Sequence, residues 1–218
     1  MTIPQIGLSF PRKDAIAKVT GKEKYATDYY PENLLWAGVK TAGIPHGIIK
    51  EIDKSEAENI PGVYAILTRR DVPGTNRLGP ISKDQPVLAG NKVRHCGDPV
   101  ALVLCESKDI LEKAMSGIHV DIEALPGVFD IETALGDNAS LIHEHGNVLK
   151  KGLIKKGNSK DALSECEVQV EQWFTTPMQA HGFLETENGV AWEKPDGSIV
   201  IIAATQAPYE DKTEISCA

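Results

Sequence analysis

The run Val100–Cys105 (VALVLC) constrains this chain more than any other stretch. Six consecutive apolar residues, preceded by Pro99 and followed by Glu106, are too few for a buried helix and read as a strand covered on both faces. Downstream, Lys108–Gly117 and the residue after it place Ile110, Leu111, Ala114, Met115 and Ile118 on one helical face. His119–Ala124 then alternates, with Val120, Ile122 and Ala124 inward and His119, Asp121 and Glu123 outward. Strand, helix and strand in so short a span predict a compact βαβ element.

Other elements are arranged around this one. Leu34–Val39 (LLWAGV) and Val63–Leu67 (VYAIL) read as further strands, and Gly43, Pro45 and Gly47 mark a turn between them. Ser55 and Glu58 have capping-box spacing, so a helix of about two turns is expected to start at Ser55 and to stop at Pro61-Gly62. Ahead of these, Pro11–Tyr30 is polar and rich in Arg and Lys without apolar periodicity, which predicts an extended arm. Val72–Asn91 is rich in Pro and Gly and reads as a long irregular loop, a kind often functional or in contact with a partner. Ala134–Lys160 has few apolar positions and is the expected domain boundary. Beyond it, Val168, Val170, Gln172 and Phe174 alternate as a strand. Gly189–Glu193 and Ser198–Thr205 flank the turn Lys194-Pro195-Asp196-Gly197, so the second region is expected to open as β-rich.

Composition then limits the function classes. The 218 residues carry 23 Lys and Arg against 31 Asp and Glu, a net charge of −8, with 41% hydrophobic residues. That is enough apolar side chain for one or two domains and excludes disorder over most of the chain. The acidic balance and the lack of a Lys/Arg block argue against a nucleic-acid or membrane surface, while leaving room for a local basic patch. No apolar run approaches the roughly 18–20 residues of a membrane span. Met1–Phe10 lacks the basic start and small-residue cleavage site of a secretory signal, so a cytoplasmic location is expected. Cys96, Cys105, Cys166 and Cys217 are widely spaced and read as free thiols.

Chemistry is sparse at this level. His143-Glu144-His145 has i, i+2 spacing in a loop, not the i, i+4 spacing that puts two histidines on one helix face, so no metal site is expected there. The pairs Glu56/Glu58 and Glu185/Glu187 read as solvated surface in a chain with this many acids. Asp98, ahead of the apolar run, is expected to hydrogen-bond its own turn. Gly-rich phosphate loops and the G-x-S-x-G elbow are absent. The residues by themselves define a soluble α+β protein in two parts.

A resemblance takes the reading further. Asp14-Ala15-Ile16-Ala17-Lys18-Val19-Thr20-Gly21 with Tyr25 and Asp28, then Ile52-Asp53-Lys54-Ser55, Pro61-Gly62-Val63, Asp71-Val72-Pro73-Gly74 and Gln85-Pro86-Val87-Leu88-Ala89 occur in the order found in one enzyme family. Lys92-Val93-Arg94-His95-Cys96-Gly97-Asp98-Pro99-Val100-Ala101 and Glu123-Ala124-Leu125-Pro126 continue the series. Together they resemble the molybdenum-binding large subunit of the xanthine dehydrogenase/aldehyde oxidase family, and specifically its α/β hammerhead domain. Asn147-Val148, Thr176-Pro177, Gln179 to Glu185 and Ala203-Ala204-Thr205-Gln206-Ala207-Pro208 resemble the start of the molybdopterin-binding domain.

What the resemblance implies is specific. The expected fold is α+β, an arm at 1–18, a hammerhead domain at 19–130, a linker at 131–160 and the truncated, β-rich beginning of a molybdopterin-binding domain at 161–218. Gln206 is implied to contact the cofactor, a neutral amide hydrogen-bonding an oxo ligand of molybdenum. His181 and Glu185 are expected to be structural. No catalytic residue and no metal ligand is expected in this chain, because the family's Gly-rich loop, substrate-binding Arg and late general-base Glu would all follow Gln206. Implied partners are the remainder of the molybdenum subunit, separate iron–sulfur and FAD subunits, and a small-molecule substrate, a purine or another N-heterocycle or aldehyde. The competing reading is a non-enzymatic hammerhead scaffold that serves assembly.

Overall fold

Pro99–Cys105 has hydrogen-bonded neighbours on both sides, and the architecture is built outward from it. The structure, a computed structural model, describes residues 7–183 and 186–218. In chain order the strands are β1 (Trp36–Thr41), β2 (Gly47–Asp53), β3 (Val63–Leu67), β4 (Lys92–Val93), β5 (Pro99–Cys105), β6 (His119–Ala124), β7 (Gly189–Glu193) and β8 (Ile199–Ala203). The α-helices are α1 (Ala15–Val19), α2 (Ser55–Glu58), α3 (Lys108–Ser116), α4 (Ile131–Leu135), α5 (Ser159–Ser164) and α6 (Pro208–Cys217). The chain divides into two compact units, Met1–Leu34 with Gln179–Pro208 and Leu35–Met178 with Tyr209–Ala218.

In the larger unit one sheet has the order β1-β5-β3 and a second the order β4-β2-β6, all antiparallel. Alternate residues of β5 serve two cores. Ala101, Val103 and Cys105, each fully buried, join Ala57, Ile66, Leu111, Ala114 and Ile118. Val100, pointing to the other side, joins Ile49, Ala89 and Val93. Burial pushes the Cys105 thiol above its usual range, so it packs as a small apolar group.

Helix α3 is capped by Ser107, whose Oγ accepts from Ile110 N, with Leu111 and Ala114 turned inward. It lies close on the first sheet because Gly38 has no side chain; a Cβ there would meet Leu111 Cδ2 at 2.8 Å. Gly47 plays the same part in the second sheet, where a Cβ would come within 2.5 Å of Ile122 Cγ2.

Four sequence expectations are corrected. First, β5-α3-β6 is not a βαβ unit within one sheet: both edges of β5 are taken by β1 and β3, so β6 crosses to pair with β2. Strand β2 itself escapes sequence reading, because Lys50, Glu51 and Asp53 dilute its isoleucines and a bulge between Ile49 and Glu51 breaks the alternation. Second, α2 is a single turn whose N-cap is Lys54, not Ser55; Asp53 accepts from Ser55 N at 2.9 Å, which holds the Asp53 carboxyl below its usual range. Third, the arm contains a short helix, α1, where Asp14 pairs with Lys18 and Arg12, each at 2.8 Å; those contacts, Lys18 first, lower its pKa to about 2.

The fourth correction concerns Val168–Phe174, which is not a strand. Val168, Val170 and Phe174 are exposed, and no strand pairs with them among the described residues. Alternation stabilises a strand only when one face is covered and the backbone finds a ladder. The second region therefore contributes helices α5 and α6 and the hairpin β7-β8, and is less β-rich than expected.

That hairpin follows the sequence reading. Its register runs from Gly189↔Ala203 to Glu193↔Ile199, Lys194 N donates to Ser198 O at 2.8 Å, and Gly197 takes φ 80°. Val190 and Ala26 are the buried apolar residues of the smaller unit among those described.

The contrast between a packed and an unpacked apolar residue is measurable by urea unfolding. Ile118→Ala is expected to cost about 2–5 kcal/mol, and Val170→Ala to stay within about 0.5 kcal/mol. Limited trypsin digestion should cut first at Lys150, Lys151, Lys155 or Lys156, all exposed and outside regular structure, while Trp36–Ala124 persists.

Candidate functional site

Two places gather the side chains singled out by sequence: the turn before β5 with the loops around it, and the end of β8. At the first, Asp98 is 2% exposed and accepts from Arg94 N at 2.6 Å and, more loosely, from His95 N at 3.4 Å. His95 closes the turn, its Nε2 lying 2.9 Å from Asp98 Oδ1 while Gly97 N donates to its Nδ1 at 3.0 Å. Nδ1 is thus the acceptor of the Gly97 amide. Asp98 is the turn residue its sequence suggests.

The same turn delivers Arg94 to a cleft of about 750 Å³. One wall is the long loop after β3. It begins at Arg69–Asp71, a 3-10 turn fixed by Asp71, whose carboxylate accepts from Thr68 N at 2.7 Å and from Thr68 Oγ1 at 3.0 Å. Those hydrogen bonds hold the Asp71 carboxyl below its usual range. Further along, the Asn76 amide donates to Leu88 O and accepts from Leu88 N, imitating a strand partner. The loop is also tied to the end of α6, Gly74 N donating to Ala218 O at 2.7 Å and Thr75 N to Cys217 O at 2.6 Å.

The opposite wall is 141–149, organised by Asn147: its Oδ1 accepts from Ile142 N and its Nδ2 donates to Ala134 O and Ser140 O. His143, Glu144 and His145 line this wall. His143 Nδ1 lies 3.1 Å from Asp84 Oδ2 without hydrogen-bond alignment, and no group of three or more His, Cys, Asp or Glu is placed to hold a metal among the described residues. Sequence reasoning flags the loop by its length and composition; it misses the cleft, because the two walls are distant in sequence.

The acidic pairs disperse. Glu56 approaches His119 Nε2 at 3.3 Å and Glu58 pairs with Lys54 at 3.0 Å, all substantially exposed and therefore weak. Glu185 lies outside the described residues, and with it the Glu185/Glu187 pair and the His181–Glu185 relation. His181 itself stacks on Phe183 with ring centroids 5.2 Å apart.

At the second place, Gln206 sits in the exposed bend between β8 and α6, where Ala207 N donates to Thr205 Oγ1 at 3.0 Å. Nothing among the described residues hydrogen-bonds the Gln206 amide. A pterin cofactor needs several converging donors, and these residues supply one exposed amide; by themselves they do not form a cradle for it.

Comparison with known proteins gives these places a context. Residues 20–126 match the family model described as "Aldehyde oxidase and xanthine dehydrogenase, a/b hammerhead domain", and residues 142–218 match "Molybdopterin cofactor-binding domain". The nicotinate dehydrogenase large molybdopterin subunit of Eubacterium barkeri is 34% identical over 211 residues, covering 97% of this chain and 50% of that protein. The xanthine dehydrogenase molybdenum-binding subunit of Escherichia coli O157:H7 is 34% identical over 208 residues, 91% of this chain and 28% of the relative. Among solved structures, quinoline 2-oxidoreductase from Pseudomonas putida 86 superposes with a TM-score of 0.83 at 27% identity, covering 97% of this chain and 28% of that one. The chain thus spans half or less of the length of these relatives.

The turn before β5 gives a direct test. Asp98→Ala takes the acceptor from the Arg94 amide and, more loosely, from that of His95, and is expected to lower stability by about 1–3 kcal/mol in urea. Asp98→Asn, which keeps an acceptor oxygen, should lose less, and an unchanged midpoint for Asp98→Ala would count against this role.

Proposed function

The chain belongs to the aldehyde oxidase and xanthine dehydrogenase family, and on that premise we propose that these residues are the N-terminal portion of the large subunit of a molybdenum hydroxylase. One observation carries this reading: the two domain matches follow one another, hammerhead first and molybdopterin-binding domain second, over most of the chain. The proposed organisation is an arm to residue 18, the hammerhead at 19–130, a linker at 131–160 and the cofactor-binding portion from 161.

The proposed reaction is hydroxylation of an electron-poor carbon of a purine, another N-heterocycle or an aldehyde, with oxygen derived from water. Relatives named for nicotinate, xanthine and quinoline support the heterocycle class. Molybdenum-molybdopterin would supply the redox chemistry when bound. Gln206 is the residue we assign to it, its side-chain amide donating one hydrogen bond without adding charge. The rest of the pocket is proposed to come from the remainder of the large subunit, with iron–sulfur and FAD subunits taking up the electrons; relatives named as subunits support such an assembly. A cytoplasmic location completes the proposal, and no helix among the described residues is long and apolar enough to cross a membrane.

Because residues 1–218 supply a single amide toward the cofactor, metal analysis of this stretch purified alone should find molybdenum far below one equivalent; stoichiometric molybdenum would overturn the division of labour. In the assembled enzyme, Gln206→Ala should reduce turnover by about 10–100-fold with the metal retained. An assembly that carries cofactor yet hydroxylates neither heterocycles nor aldehydes would favour the scaffold reading.

A further inference from the structure

The cleft between residues 69–94 and 141–149 has a charge that its surroundings do not explain. In a chain of net charge −8, five cations line it: Arg69, Arg77, Lys83, Lys92 and Arg94. Facing them are two carboxylates, Asp84 and Glu144. Lys83 is neutralised by Glu214 of α6, and Asp84 is engaged with His143. The other four cations have no carboxylate within ion-pairing distance among the described residues. Arg69 donates to the neutral Asn91 Oδ1 and Lys92 to Leu141 O at 2.8 Å. Arg94 Nε is buried with no hydrogen-bond partner among the described residues. Like charges held this close repel, and burial together with neighbouring Arg94 already depresses the Lys92 pKa.

The backbone is shaped to keep the charges there. Gly90 leaves the space that the Arg69 side chain crosses, since a Cβ at 90 would lie 1.7 Å from Arg69 Cδ. Asp98 pins the Arg94 amide from below, and Asp71 pins the turn that carries Arg69. The remaining lining includes Pro86, Leu141, Ile142 and Val148, so the cleft has an apolar side as well as a cationic one. Its volume falls within the roughly 300–1,000 Å³ of small-molecule sites.

We propose that this cleft binds a phosphorylated small molecule of nucleotide type, its phosphate on Arg69, Arg77 and Arg94 and its flat apolar body against Leu141 and Ile142. Several guanidinium groups favour a phosphate over a single carboxylate, because each planar fork donates two parallel hydrogen bonds to a multiply charged oxyanion. The concave shape favours a small ligand over an extended acidic peptide. This site does not depend on the family reading and is separate in sequence from Gln206.

Isothermal titration of the full chain with inorganic phosphate, inorganic pyrophosphate, AMP and polyglutamate at low ionic strength tests the proposal. Saturable one-to-one binding is expected, tighter for AMP than for inorganic phosphate because of the apolar side. Arg77→Gln and Arg94→Gln should each weaken it by about tenfold. Gly90→Ala should do the same with no change of charge, by displacing Arg69; if that variant fails to fold, Arg69→Gln takes its place. Lys22→Gln, exposed and in the other unit, removes the same charge and should leave binding unchanged. No saturation, an equal loss in Lys22→Gln, or a preference for polyglutamate over pyrophosphate would overturn the proposal.

Discussion

The saturation of both edges of β5 is the constraint from which the rest of the larger unit follows. Its edges are saturated by β1 and β3, one face is sealed by α2 and α3, and Val100 on the other face anchors the second sheet. A strand paired along both edges has its backbone groups taken by its neighbours and offers no ladder to a third strand. That saturation expels β6 from the first sheet and forces the crossover to β2. The turn before β5 inherits the same demand: Asp98, trapped at the end of the buried strand, turns its carboxylate back onto Arg94 and His95. Arg94 is presented to the cleft as a by-product of finishing the core.

How far the sequence reveals this depends on what each segment's pattern was selected against. Strands β3, β5 and β6 and helix α3 are legible because burial imposes period or continuity on the residues themselves. β2 is hidden because only part of it faces a core, and its bulge allows polar residues where alternation forbids them. Val168–Phe174 fails in the opposite sense: the period is present and the partner is not among the described residues, so pattern reports a capacity to pair and not a pair. The one-turn α2 shows that S-x-x-E spacing does not locate a cap when an upstream Asp53 competes for the Ser55 amide.

The two candidate places differ in legibility for a related reason. Gln206 lies in an exposed bend that no local physics distinguishes, and only its likeness to a family motif raises it above an ordinary surface glutamine. The cleft is invisible to motif reading, since its cations come from the start and end of one loop and the turn beyond it, and its opposite wall from a segment held by Asn147. Net composition also conceals it, because an acidic chain averages away a local excess of arginine.

One contact bears on the order in which these residues can assemble. Gly74 and Thr75 donate their amides to the carbonyls of Ala218 and Cys217. Those acceptors emerge from the ribosome after the loop itself, so one wall of the cleft waits, during synthesis, for residues more than 140 positions downstream. The two sheets and α3 need nothing beyond Ala124 and can assemble first. Maturation of the cleft is therefore a late, long-range closure laid onto an early, local scaffold.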